Sequence, residues 1–243
     1  MNLIIDVGNT RTKVAVFERD NLVDLNIVVM SDLHKLIKNL FEKFDIQDSI
    51  VSKVTDLPKD IIEELSFHTN FLLVNSATKI PFINLYKTKS TLGLDRIALA
   101  TAAVKNFYNK NVLVIDAGTC ITYDFVNDKL EYKGGAISPG LSMRYKSLHT
   151  FTSKLPELAP KHPKTFVGNS TLESIHSGVV NGLIQEICGV IDQYKKVFFD
   201  LTVVLTGGDT KFLSEQLKSS IFANQNFLLE GLNEILIFNK TND

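Results

Sequence analysis

The stretch Leu3-Ile4-Ile5-Asp6-Val7-Gly8-Asn9-Thr10-Arg11-Thr12-Lys13-Val14-Ala15-Val16-Phe17 decides the fold. A short apolar run ends in a carboxylate, a glycine-bearing polar turn follows, and apolar residues resume before Glu18-Arg19-Asp20-Asn21. This pattern predicts a β-hairpin with an Asp where its first strand closes. The chain then repeats the device. Ile115-Asp116-Ala117-Gly118-Thr119 places strand, Asp and Gly as Ile5-Asp6-Val7-Gly8-Asn9 does, and Ile121 to Val126 supplies the hairpin partner. Recurrence at so long a period marks a duplicated domain, since solenoid repeats are much shorter. Two related lobes are expected, 1–108 and 109–243, with the boundary near residues 105 to 112.

Around these hairpins, strand and helix patterns alternate, which defines an α/β protein. Leu33, Leu36, Ile37, Leu40, Phe41 and Phe44 recur at helical spacing with Ser31 as the expected cap. Ser49 to Val54 and Phe71 to Val74 read as strands flanking a helix from Lys59 to Ser66. Arg96 to Phe107 reads as a second Ala- and Leu-rich helix. Ser170-Thr171-Leu172-Glu173 has capping-box spacing, and Leu172, Ile175, Val179, Leu183, Ile187 and Ile191 trace one long helix. Gly178 and Gly182 on that helix are expected to admit a second backbone. Leu201 to Leu205 is a strand ending in Thr206-Gly207-Gly208-Asp209, with a helix expected from Lys211 to Leu217.

Composition narrows the function. With 243 residues, 44% of them hydrophobic, the chain can bury a sizeable core. A formal net charge of −1 offers no basic footprint for a phosphate backbone, so nucleic acid is not an expected partner. Met1 to Asp6 carries no basic region before an apolar stretch, and no run approaches a membrane span, so a cytoplasmic protein with no membrane partner is expected. Cys120 and Cys188 form no Cys-x-x-Cys pair, and the five histidines lack ligand spacing, so neither a disulfide framework nor a zinc site is expected.

Chemistry concentrates in Asp6 to Lys13. Gly8 permits a tight turn, whose backbone donors, together with Asn9, Thr10 and Lys13, suit phosphate oxygens, while Asp6 can hold Mg²⁺. Phosphoryl transfer needs these parts because its catalysis is mostly positioning and charge neutralisation. An ordinary hairpin turn with an Asx bond reads equally well from this string alone. The second hairpin, with Asp116, Gly118 and Thr119, tilts the balance toward nucleotide, and Gly207-Gly208 adds a side-chain-free turn against which adenosine could lie. On the acceptor side stand Tyr86 and Leu92-Gly93-Leu94-Asp95-Arg96. Asp95 either caps a helix or serves as the base that receives a hydroxyl proton, with Arg96 gripping an anionic group.

Over nearly its whole length the chain resembles the type III pantothenate kinases, a bacterial family of the actin-like ATPase superfamily. The family's Tyr-x-x-Pro-x-x-Leu-Gly-x-Asp-Arg segment is matched by Tyr86, Leu92, Gly93, Asp95 and Arg96, with Lys89 standing at the proline. Gly134 to Gly140, Thr152 to Pro156, Gly168 to Thr171 with Ser177-Gly178, and Leu205 to Gly208 follow in the family's order, Ser153 replacing a common alanine. The resemblance implies two duplicated actin-like (ribonuclease H-like) lobes, each a mixed β-sheet with flanking helices. It implies ATP-dependent phosphorylation of pantothenate to 4'-phosphopantothenate, the first step of coenzyme A biosynthesis. Asp95 is then the base, and Tyr86, Gly93, Leu94 and Arg96 hold pantothenate. Asp6 with Mg²⁺, Gly8, Asn9, Thr10, Lys13, Gly118, Thr119, Gly207 and Gly208 handle ATP. A monovalent cation, K⁺ or NH₄⁺, binds near Asp116. The resemblance also implies a homodimer in which the long helix packs across the two-fold axis and Thr171 reaches the partner's pantothenate. A kinase of another small hydroxyl substrate, an inactive regulatory relative and a filament-forming relative are the alternatives.

Overall fold

A computed structural model describes residues 1–8, 11–53, 57–217 and 221–241. Its contacts divide the chain into two units, residues 1–106 with 227–243, and residues 107–226.

In the first unit, β1 (Asn2–Val7), β2 (Thr12–Glu18), β3 (Asn21–Val28), α1 (Met30–Lys43), β4 (Asp48–Lys53), α2 (Lys59–His68), β5 (Asn70–Leu73), the two-residue strand β6 (Ile83–Asn84) and α3 (Leu94–Asn106) follow one another. The sheet order is β3-β2-β1-β4-β5, with β1, β2 and β3 antiparallel and β1, β4 and β5 parallel. Leu3, Ile5 and Val7 of β1 meet Leu33, Ile37 and Leu40 of α1 and Ile61 and Leu65 of α2, which is the period-2 face of a strand against two helical stripes. Ile4 is equally buried on the other face, so β1 reads as a continuous apolar run. That second face belongs to α8 (Phe227–Thr241), which returns from the end of the chain to pack on β1, β4 and α3. A single cut after residue 108 does not describe this grouping.

The second unit contains β7 (Asn111–Ala117), β8 (Cys120–Val126), β9 (Glu131–Pro139), α4 (Leu141–Thr150), α5 (Thr171–His176), α6 (Gly182–Val197), β10 (Leu201–Thr206), α7 (Thr210–Ser214) and β11 (Phe222–Ala223). Its strands run β11-β10-β7-β8-β9, the order of the first sheet with β7 in the place of β1. Antiparallel pairs β7–β8 and β8–β9 and parallel pairs β7–β10 and β10–β11 repeat the same pattern. The duplication seen in the two Asp-Gly hairpins is therefore a duplication of sheet topology. Leu113, Ile115, Ile121, Tyr123 and Phe125 pack against Leu141, Tyr145, Val179, Leu183, Ile187 and Ile191.

Three local expectations need correction. Helix α1 begins at Met30 with Val29 as its uncapped entry, so Ser31 lies inside the first turn and caps nothing. The long helix is broken into α5 and α6 by a π-helical turn at Ser177–Asn181, although the Ser170 cap forms, with Oγ accepting the Glu173 N–H at 3.3 Å. Helix α7 is one short turn that ends at Ser214. Among the described residues no helix is long and apolar enough to cross a membrane.

Helix α8 is fixed by a buried polar contact as well as by packing. Asn233, 2% exposed, accepts from Asn2 Nδ2 at 2.8 Å and donates to the Arg19 carbonyl at 2.8 Å, at a turn where Arg19 takes φ 55°. Asn233→Leu leaves the buried Asn2 amide without its acceptor and the Arg19 carbonyl without this donor. It should cost about 2–4 kcal/mol of unfolding free energy in urea titration, and a loss below about 0.5 kcal/mol would remove this contact from the account of α8 docking.

Candidate active site

The end of β1 delivers Asp6 into a setting no surface carboxylate experiences. In the ladder Asp6 lies opposite Lys13 on β2 and beside Ser52 on β4, so hydrogen-bonded strands flank it on both sides. Burial raises its carboxyl from 3.8 to about 6, Lys13 pulls it back, and the carboxyl of Asp95 pushes it further up. That last influence requires the start of α3 to lie near the mouth of β1. Two carboxylates and one ammonium are thus brought together within the first unit.

Asp95 is half-buried in the first turn of α3, and its Oδ1 accepts the Arg96 N–H at 2.8 Å. The helix-capping reading of Asp95 is therefore met in part, while the same side chain also acts on Asp6. Gly93 makes that posture possible. A Cβ there would stand 2.3 Å from Asp95 Oδ1, so any larger residue would push the carboxyl aside. Leu94 opens the helix beside it, half-buried. Arg96 is 5% exposed, and its guanidinium lies over the Tyr86 ring, 5.7 Å from the centroid, in cation–π contact. Tyr86 is held in turn by its N–H, which donates to Asn84 Oδ1 at 2.9 Å. Lys89 sits exposed in a one-turn 3₁₀ segment, Lys89–Thr91. The Gly8 N–H closes its turn on the Arg11 carbonyl at 3.2 Å. Asn9 and Thr10 lie outside the described residues.

The second unit builds its own carboxylate site on the same plan. Asp116 ends β7 opposite Thr122 and beside Thr206. The Gly118 N–H donates to the Cys120 carbonyl at 3.0 Å, leaving Thr119 exposed at the tip. Gly207 takes φ +96°, and a Cβ on it would sit 2.3 Å from Asp116 Oδ1 and 2.4 Å from the Ala117 carbonyl. Only glycine can bring the β10 turn against this aspartate. The turn is locked by Asp209 N–H to the Ala117 carbonyl at 2.9 Å and by Thr210 Oγ1 to the Gly207 carbonyl at 2.7 Å. Nothing lies within 4 Å of a Cβ on Gly208, so that side of the turn is open.

Thr171 is exposed at the start of α5 and lines a cavity of about 930 Å³ together with Arg144, Leu148, Leu155, Asn169 and Ser174. Apart from chain neighbours and the helix's own backbone, nothing among the described residues lies within 4 Å of a Cβ on Gly178, Gly182 or Gly189, so each leaves open space at the helix surface.

Two polar groupings escaped the sequence reading. Asp124 is fully buried and accepts from Thr122 Oγ1 at 2.8 Å and Tyr132 Oη at 2.6 Å. An Asp inside the apolar run of β8 was the available signal. Arg144 and Glu186 pair at 2.5 Å, and Tyr123 Oη donates to Glu186 at 3.0 Å. These residues are scattered over α4, α6 and β8, so no local pattern announces them.

Duplicated sheets of this order, each ending its central strand in an Asp-Gly hairpin, define a protein of the actin-like ATPase fold. A glucokinase from an Antarctic psychrotroph aligns over 98% of this chain and 98% of that one with a TM-score of 0.55 at 10% identity. A Campylobacter jejuni structure assigned to the Baf family of transcriptional activators covers 98% and 99%, with a TM-score of 0.64 at 20% identity. At such identities the likeness concerns the fold alone. Sequence is more specific. The family model for type III pantothenate kinase matches residues 2–193. A type III pantothenate kinase of Christiangramia forsetii is 51% identical over 242 residues, spanning 99% of this chain and 100% of the relative. The chain belongs to the type III pantothenate kinase family.

The raised Asp6 carboxyl has a stability signature. The folded chain keeps a proton that the unfolded chain gives up, so Asp6 makes stability fall as pH rises from about 4 to about 6. Asp6→Asn should therefore be more stable than the wild type at pH 7.5 by about 1–3 kcal/mol, an advantage that vanishes at pH 4. Urea unfolding at the two pH values measures it, and equal stability at both would mean that Asp6 is not desolvated.

Proposed function

We propose that the protein transfers the γ-phosphate of ATP to the primary hydroxyl of pantothenate, giving 4'-phosphopantothenate and ADP, the entry step of coenzyme A biosynthesis. One observation carries the residue assignment: within a single unit, Asp95 stands close enough to Asp6 to raise its carboxyl. A phosphate-handling carboxylate beside an acceptor-handling one is what transfer to a hydroxyl requires.

Asp95 orients the hydroxyl and takes its proton. An ordinary carboxylate is a weak base toward an alcohol, so the proton moves late, once the bond to ADP is largely broken. The contact of Asp95 Oδ1 with the Arg96 N–H fixes the side chain before substrate arrives. Tyr86, Gly93, Leu94 and Arg96 hold pantothenate. Arg96, buried with its guanidinium over the Tyr86 ring, has little freedom to lose on binding.

Gly8, Asn9, Thr10 and Lys13 take the phosphates, with the Lys13 ammonium opposite Asp6 countering their charge. Asp6 is the residue that would hold Mg²⁺. A carboxyl whose ionised form is penalised by burial is stabilised by a nearby cation, and the donor set fits. Bound there, the ion supplies neutralisation of phosphate charge. In the second unit, Gly118 and Thr119 complete the phosphate contacts, and Gly207 with the open Gly208 provides the adenosine turn. Asp116, held against that turn, would bind the monovalent cation, K⁺ or NH₄⁺.

A homodimer belongs to the same proposal. Phe151, directly after α4, and Phe166, Val167 and Leu172, around the start of α5, are exposed large apolar residues in the second unit. A second copy would cover them and bring Thr171 to its neighbour's substrate. A cytoplasmic location accords with the use of ATP and with two free thiols, Cys120 and Cys188.

Asp95→Asn should lower turnover about 10²–10⁴-fold with unfolding unchanged, read by coupled ADP release with and without pantothenate. Wild-type turnover in this variant would refute the base assignment, and ADP release indifferent to pantothenate would refute the acceptor.

A further inference from the structure

The second unit has an aromatic hollow at the end of α6 that the proposed reaction does not use. Phe125 of β8, Tyr194 of α6 and Phe198 at the C-cap of α6 form a cluster of rings, with centroids 5.2 Å apart for Phe125 and Tyr194 and 4.1 Å apart for Phe125 and Phe198. Together with Val197, Lys133, Gly134 and Gly135 they line a cavity of about 420 Å³. The two glycines belong to the Gly134 to Gly140 string and are glycine for backbone reasons. Gly134 takes φ 98°, and a Cβ on Gly135 would collide with the Tyr123 carbonyl. This part of β9 therefore puts no side chain into the space, and the rings stay open to a visitor.

Beside this hole stands a plug. Phe199 is 93% exposed, more than any other large apolar residue described, and Val197 is 73% exposed. The turn that carries Phe199 is fixed: its carbonyl accepts from Asn111 Nδ2 at 3.2 Å, and Asp200 takes φ 55° directly before β10. A ring presented to water on a fixed turn removes apolar area from solvent when it docks and has little backbone freedom to lose. One molecule thus carries an aromatic hole and an aromatic plug side by side, and a surface with both is complementary to a second copy of itself across a two-fold axis. Charge agrees with shape. Phe199 is followed by the exposed Asp200, and the cation of the hollow is Lys133, whose bond to Glu131 at 2.7 Å uses one of its ammonium donors.

We infer that this hollow is a docking site for a second copy of the chain, which inserts its Phe199 beside Phe125, Tyr194 and Phe198 and sets its Asp200 against Lys133, with the same exchange made in the other direction. The contact lies at the far end of the long helical run from Thr171, about 40 Å away at 1.5 Å per residue. It is therefore a further contact beside the homodimer proposed around the start of α5, and it joins copies into assemblies larger than a dimer. It stands whatever the acceptor of the kinase is.

Sedimentation velocity of the full-length protein over a wide range of concentration tests it. Wild type should associate beyond a dimer. Phe199→Ser, at a side chain almost wholly in water, should leave urea unfolding unchanged and weaken that step by about thirtyfold or more, as loss of an aromatic anchor does. Lys133→Glu and Asp200→Lys should each weaken the step about tenfold, and the double swap should bring it back to within about threefold of wild type. Equal masses for wild type and Phe199→Ser at every concentration overturn the docking site. A double swap no better than its parents overturns the pairing of Asp200 with Lys133, and with it the placing of Phe199 in this hollow.

Discussion

The desolvated carboxylate of Asp6 is the constraint from which the first unit is organised. Its strand must be central, because only a strand flanked on both sides can bury a carboxylate at its end while keeping its backbone paired. Both faces of that strand must then be covered, which is why α1 and α2 pack on one side and α8 returns from the end of the chain to the other. The carboxyl is kept in an unfavourable place, opposed by the nearby Asp95 and relieved by Lys13. A group destabilised in this way gains more from a cation than a solvated one does, so the strain of the free protein is readable as affinity for a charged ligand.

The acceptor segment shows how little sequence is needed to aim a second carboxylate once that frame exists. Helix α3 is buried along nearly its whole length, from Arg96 to Val104, so its register is set by packing, and with it the position of its first turn. Gly93 then removes the one atom that would prevent Asp95 from folding back onto the Arg96 N–H. Packing sets the place, the missing Cβ sets the rotamer, and the hydrogen bond holds it. Each step costs little, and together they hold the carboxyl of Asp95 in one position.

Much of this was legible in the sequence because it is written in short periods. The hairpins, the Asp that closes each first strand and the Gly207 turn are local patterns of alternation and glycine, and the structure reproduces them within a residue or two. Helix α8 was not legible. Phe227, Leu228, Leu229, Leu232, Ile235 and Leu236 are all buried, so its apolar residues wrap around the axis and no single stripe marks it. The π-helical turn at Ser177–Asn181 has no compositional code, since it is one added residue accommodated inside a helical pattern. The Arg144–Glu186–Tyr123 grouping joins three elements distant in sequence, and only the folded second unit brings them into one network.

Duplication set up two hairpins with one geometry, and a single cross-strand position makes them chemically different. The residue opposite Asp6 is Lys13, whereas the residue opposite Asp116 is Thr122. A carboxylate facing an ammonium sits in a field already adapted to dense negative charge, as a triphosphate brings. Asp116 instead faces a hydroxyl across the strand. The Thr122 proton is committed to the buried Asp124, so its oxygen can only accept. Under the proposed assignment the first arrangement would hold a divalent ion and the second a monovalent cation. The chemical difference between the two hairpins at this position therefore lies in one change in the pairing register, with the sheet order and the aspartate held constant.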